Sequence, residues 1–139
     1  MRVLLTLTLS LALALAGGAV AQSDADRAAV QGIIEQQLSA FLRDDAATAY
    51  SFAAPGIKEM FPSEEIFMDM VRRGYQPVYR PRSHAFGAVR ETGQGLEQIV
   101  DIVDAAGQEW TALYTVERQP DGSWKITGCF LLKKPGESV

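Results

Sequence analysis

Apolar residues recur at spacings of three and four in the first half of the chain, and from residue 75 onward they alternate. The sequence therefore predicts helices followed by strands. Ser23 with Asp24 and Asp26 marks a helix start, a hydroxyl cap followed by carboxylates in the first turn. Val30, Ile33, Ile34, Leu38, Phe41 and Leu42 then form one apolar stripe that carries the helix to about Arg43. Asp44 and Asp45 cap a short second helix from Ala46 to Phe52, ended by Pro55-Gly56. Pro62-Ser63-Glu64-Glu65 opens another, with Ile66, Phe67, Met70 and Val71 on its buried face. Gly74 stops it just after Arg72 and Arg73, cations placed where the helix dipole favours them.

Strands are predicted at 75–79, 83–91, 96–103, 109–119 and 123–132. Gly93-Gln94-Gly95, Ala105-Ala106-Gly107 and Pro120-Asp121-Gly122 supply the turns between the last four. Helices followed by sequential hairpins give an α+β domain, an antiparallel meander with the helices on one face. Side-chain alternation fixes register, because a slip of one residue turns every side chain to the other face. Three-residue loops then set Leu96 against Val116, Val100 against Ala112 and Ile102 against Trp110. They also set Val116 against Ile126, Tyr114 against Gly128 and Ala112 against Phe130. Leu96, Gln98, Val100, Ile102, Trp110, Ala112, Tyr114, Val116, Trp124, Ile126 and Phe130 face inward. Glu97, Asp101, Thr111, Thr115, Lys125 and Thr127 face out.

The first 21 residues read as a secretory signal. Arg2 gives a positive start, residues 3–16 an apolar run, and Ala19-Val20-Ala21 a small-x-small cleavage site. The run is too short for a transmembrane anchor. The mature chain is expected to begin at Gln22, to form one domain over 22–139, and to work in the periplasm or outside the cell. Cleavage removes one basic residue, leaving 12 Lys and Arg against 17 acidic residues. That acidity argues against nucleic acid as a partner. Cys129 is the only cysteine, so no intramolecular disulfide can form, and a small strand residue is the expected role. His84 is the only histidine, which excludes a multi-histidine metal site. Met68 and Met70 lie on opposite sides of a helix and cannot close on one ion. Neither a cofactor nor a catalytic residue is assigned.

The stretches QLSAFLRDD (37–45), FAAPGI (52–57), FMDMVRRGY (67–75), PVYRP (77–81) and DGSWKITGC (121–129) resemble an exported bacterial family, domain of unknown function DUF4864. Three helices before a curved antiparallel sheet resemble, more broadly, the nuclear transport factor 2-like (cystatin-like) superfamily. That resemblance implies a cone-like sheet of four to five strands and a possible homodimer through the outer sheet face, where Ile99, Val103, Leu113 and Leu131 supply apolar area. It implies no activity, since the superfamily holds enzymes, ligand binders and structural modules alike.

Two features remain as candidate sites. With a three-residue loop at 93–95, Arg90, Gln98, Tyr114 and Gly128 form one polar row across four strands, facing into the cone. Such a row among apolar neighbours suits a small ligand, and Arg90 would favour an anionic one. The bland alternative is that Gln98 and Tyr114 bond each other, Gly128 makes room for the ring, and Arg90 meets solvent. The same loop length places His84 opposite Asp104, expected as a solvated pair. The second feature is a basic segment: Arg72, Arg73, Arg80 and Arg82 lie in a run without acidic residues from 70 to 90. It would suit an acidic envelope partner. With no acid–base constellation, metal site or nucleophile motif assembled in the sequence, the expected function is a non-catalytic binding or interaction module of the cell envelope, the basic segment supplying its partner surface. The competing reading is a pocket protein, either a carrier or a lyase/isomerase, that holds an anionic amphipathic compound.

Overall fold

The structure is a computed structural model, described over residues 23–136. Nine elements follow one another: α1 (Asp24–Leu42), α2 (Ala46–Ser51), α3 (Pro55–Met60), α4 (Glu64–Gly74), α5 (Gln76–Tyr79), β1 (Pro81–Glu91), β2 (Leu96–Asp104), β3 (Glu109–Arg118) and β4 (Trp124–Lys133). The strands make one curved antiparallel sheet in the order β1-β2-β3-β4, and the helices pack on its concave face. The predicted leader lies outside the described residues.

Local chemistry explains most helix ends. Ser23 accepts the Asp26 N–H, Asp45 the Thr48 N–H and Ser63 the Ile66 N–H, each satisfying an orphan donor of the first turn. Pro55 sits at a helix start, where its missing N–H costs nothing, so it opens α3 instead of merely closing α2. Pro77 does the same in α5, which replaces the strand expected at 75–79 by a single helical turn. Leu42 and Ile66, expected in apolar faces, are about half exposed, while Met68 is buried.

The core joins α1, α2 and α4 to the inner sheet face: Val30, Ile34, Leu38 and Phe41 meet Val100, Ile102, Ala112 and Val116. Burying each of the larger of these aliphatic side chains stabilises the fold by about 1.5–3 kcal/mol. The β2–β3 register is the predicted one from Leu96↔Val116 to Ile102↔Trp110. The β3–β4 register holds at Val116↔Ile126 and then shifts. Thr127 is an extra residue, so Tyr114 faces Cys129, Thr115 faces Gly128 and Ala112 faces Leu131. The predicted Tyr114–Gly128 and Ala112–Phe130 pairs do not form. Leu131 turns inward, and Phe130 and Leu132 take the outer face at 63% and 46% exposure.

The first hairpin also departs from expectation. Thr92 N–H donates to the Gly95 carbonyl, and Glu91 pairs with Leu96, so the loop has four residues. Gly95 is required there, because a Cβ would lie 2.0 Å from the Val116 carbonyl oxygen. Arg90 consequently pairs with Glu97 and faces out. A second irregularity between Phe86 and Val89 carries His84 to Ile102, away from Asp104.

One residue ties the helical layer together. Asp44 follows α1 in the left-handed region, at φ 52°. Its carboxylate accepts from the Tyr79 hydroxyl, from Arg80 at 2.8 Å and from Arg72 at 3.5 Å. The Tyr79 hydroxyl foremost, then Arg80 and Arg72, hold this carboxyl below its ordinary value of 3.8. A carboxyl depressed by folding stabilises the fold above about pH 4 and loses that contribution as pH falls through the folded value. Thermal melts from about pH 5 to about pH 2 should therefore show wild type losing more stability than Asp44→Asn. Asparagine tolerates the left-handed backbone, so equal losses would contradict the tie.

Candidate functional site

Helices packed on a concave sheet leave space wherever small or distant side chains fail to fill it. Here a cavity of about 280 Å³ lies between α1, α3, α4, α5 and the β3–β4 pair. Phe41, Ile57, Phe67, Met70 and Val78 form its apolar walls, and Met60, itself 72% exposed, also lines it. None of its lining residues is an acid, a base or a histidine.

The polar residues are few: Gln37, Tyr75, Tyr114, Thr127 and Cys129, with Tyr75 half-buried at the start of α5. Gln37, 4% exposed, turns its amide nitrogen to the Ala49 carbonyl at 3.1 Å. Thr127 donates to the Thr115 hydroxyl at 2.9 Å. Tyr114 is 1% exposed, and its hydroxyl is the one buried side-chain polar atom among the described residues without a hydrogen-bond partner. Burial first, then the charge of the neighbouring Cys129 and the contact of the hydroxyl with its sulfur, a weak acceptor out of good hydrogen-bond geometry, push the Tyr114 hydroxyl well above its ordinary 10.0. Burial likewise pushes the Cys129 thiol up to about 12. At neutral pH both groups keep their protons. Tyr114 is then a neutral donor, and Cys129 a poor nucleophile.

The structure separates the polar row expected from sequence. Tyr114 lines the cavity, and Gly128 reaches it from a register position on the outer side, where a Cβ would meet the Thr115 hydroxyl at 3.0 Å. Gln98 is fully buried and pairs with Tyr114 as expected, but it does not line the cavity. Its amide nitrogen donates to the Gly87 and Ile99 carbonyls at 3.0 and 2.7 Å, next to the β1 irregularity, and its oxygen accepts from Gln31 at 3.2 Å. Arg90 faces solvent in an ion pair with Glu97 and lines no part of the cavity. The anion-holding arginine is therefore a surface residue.

The basic segment is also partly engaged. Arg72 reaches Asp69, Asp44 and the Tyr79 hydroxyl, while Arg80 bonds Asp44 and the Phe41 carbonyl and stacks 3.9 Å from the Tyr79 ring centroid. Arg73 is exposed in the last turn of α4, and Arg82 is exposed with a bond to the Ala105 carbonyl. His84 bonds Glu35 of α1 at 2.7 Å, while Asp104 bonds the Trp110 indole at 2.9 Å.

Sequence reasoning missed Gln37, Ile57 and Cys129 as cavity residues. The signal for Gln37 was present: a polar residue beside Leu38 on an apolar stripe. That for Cys129 required the extra residue at Thr127. A larger, more open groove of about 580 Å³ runs between Asp26, Glu91, Arg118 and Trp124, and an Arg118–Asp26 ion pair ties residues of its rim together. No buried side-chain nitrogen or oxygen of that groove lacks a partner. Among the described residues no group of three or more His, Cys, Asp and Glu could hold a metal, and no helix is long and apolar enough to cross a membrane.

Comparison with known proteins yields a family and a fold. The family model for a domain of unknown function, DUF4864, matches residues 23–139. An NTF2-like protein of unknown function from Silicibacter pomeroyi DSS-3 is 19% identical, with a TM-score of 0.55 over 81% of this chain and 100% of that one. Another, from Shewanella baltica OS155, is 10% identical, with a TM-score of 0.58 over 84% and 100%. No curated protein matches the sequence. The architecture is thus that of the NTF2-like proteins.

Removing a buried hydroxyl that lacks a partner relieves its desolvation cost. Tyr114→Phe should raise the stability of the ligand-free protein by about 1 kcal/mol in urea denaturation. A loss of stability would show that the hydroxyl is satisfied in the free protein.

Proposed function

The chain belongs to the DUF4864 family, a domain of unknown function, and we propose that it is a non-catalytic binding protein, working outside the cytoplasm, that holds a small and mainly apolar molecule between its helices and sheet. The cavity carries this reading: it is apolar on most sides, with Gln37, Tyr75 and Thr127 among the few polar residues of its lining. Small-ligand sites combine apolar walls with a few placed polar groups in this way.

Binding is favoured over catalysis by the chemistry of the lining. General acid–base catalysis needs a group that exchanges protons near the working pH. Tyr114 and Cys129 are both pushed away from that range by burial. A surface for an acidic partner has less support, because Asp44 engages Arg72 and Arg80 and leaves Arg73 and Arg82 as the outward cations.

Ile57 lines the cavity from α3 and is only half-buried, so a larger side chain there can fill the space with little strain on the core. Ile57→Trp should weaken binding of ethylnaphthalene, measured by equilibrium dialysis, by at least tenfold while the melting temperature holds. Unchanged binding would place the ligand elsewhere. Export is tested separately. The protein recovered from outside the cytoplasm of a bacterial host should have the intact mass of a chain beginning at Gln22, and retention of residues 1–21 would contradict it.

A further inference from the structure

Gln37 stands on the buried stripe of α1, between Ile34 and Phe41, and lines the cavity with its polar side chain. Resting on the pocket reading above, we infer that the occupant is a compact, uncharged and mainly apolar compound that carries a hydroxyl or a neutral N–H and donates it to Gln37 Oε1.

The last turn of α2 fixes which end of the amide is free. The Ala49 carbonyl can only accept, so the Gln37 nitrogen must turn to it, and it does so at 3.1 Å. Gln37 Oε1 accepts no hydrogen bond from the protein. Nor is it sealed: among the described residues, the Tyr114 hydroxyl is the one side-chain polar atom both closed off from solvent and without a partner. Gln37 is 4% exposed and lines the cavity, so the open space its oxygen meets is the cavity. The remaining polar groups of the lining are otherwise occupied. The Tyr114 hydroxyl rests against the Cys129 sulfur, Thr127 donates to Thr115, and the Cys129 thiol is a weak donor. Tyr75 is half-buried, so surface water can serve its hydroxyl. No charged side chain lines the cavity. A carboxylate would set a second acceptor against Oε1, and an ammonium would lose its water without gaining a counter-charge. A neutral donor completes the oxygen at no such cost. At about 280 Å³ the cavity lies at the small end of ligand sites, which limits the occupant to a compact molecule.

Naphthol, methylnaphthalene, methoxynaphthalene and naphthoate of one substitution pattern present in turn a neutral donor, no polar group, an acceptor alone and an anion. Their dissociation constants at pH 7, measured by equilibrium dialysis on wild type and Gln37→Met, test the inference. Wild type should bind naphthol about tenfold more tightly than either methylnaphthalene or methoxynaphthalene, one hydrogen bond's worth, and naphthoate most weakly. Gln37→Met keeps the length of the side chain without its oxygen, and should bring naphthol and methylnaphthalene to within about twofold of each other. Equal binding of naphthol and methoxynaphthalene by wild type would overturn the inference while leaving the pocket standing. So would a naphthol preference that survives in Gln37→Met, or tight binding of naphthoate. If wild type binds none of the four, the pocket reading falls and the inference with it. Gln37→Met also gives up the bond to Ala49, but the wild-type series needs no variant to fold and decides the matter by itself.

Discussion

The extra residue at Thr127 decides which side of β4 faces the helices, and the candidate site depends on it. Before it, Ile126 packs inward opposite Val116; beyond it, Cys129 and Leu131 turn inward and Phe130 turns out. A bulge costs ladder hydrogen bonds and is kept where it re-aims side chains. Here it sets a small thiol residue opposite Tyr114, where the unshifted register would have set a glycine there and, two residues on, a phenylalanine opposite Ala112. The sheet is held close by on its other side. Ile126 N–H donates to the Phe52 carbonyl, and its own carbonyl accepts from Ala54 N–H. The chain between α2 and α3 thus covers part of the β4 edge and fixes α3 beside the cavity that Ile57 and Met60 line.

Charge is kept out of that cavity and concentrated elsewhere. Asp44, at a left-handed position that few residues adopt, gathers Tyr79, Arg72 and Arg80 and so joins the end of α1 to α4 and α5. Of the arginines that looked free in sequence, Arg72 and Arg80 are bound within the fold, while Arg73 and Arg82 stay exposed. Gln98 has a similar internal task, satisfying carbonyls beside the β1 irregularity. Among the described residues, the Tyr114 hydroxyl is the one buried side-chain polar atom without a well-formed hydrogen bond, resting against the Cys129 sulfur.

How far the sequence could be read follows from the same irregularities. Hydrophobic period and cap residues located α1, α2 and α4, and loop arithmetic placed all of β2 against β3 because that hairpin has no inserted residue. Neither Thr127 nor the irregularity at 86–89 has a signature in the alternation of side chains, so the β4 pairing failed beyond Val116. The loop after β1 failed by a single residue, which was enough to send Arg90 to the outer face. Residues 75–79 alternate like a strand, but Pro77 suits the first turn of a helix equally well, and tertiary packing decided the matter. Of the four expected pocket residues, Tyr114 and Gly128 line the cavity, because both flank the bulge. Arg90 does not, because the loop was misread by one residue; Gln98, correctly placed inward beside Tyr114, does not because its amide bonds the Gly87 and Ile99 carbonyls and Gln31.

The account stands on Tyr114 as a neutral donor sealed from water. Carbon-13 labelling of the tyrosine Cζ, with a pH titration of the Tyr114 resonance assigned through Tyr114→Phe, tests this directly. The account predicts no ionisation of Tyr114 through its ordinary value of 10.0, with the resonance changing only when the fold is lost in stronger alkali. Ionisation of Tyr114 at its ordinary value in the folded protein would contradict it.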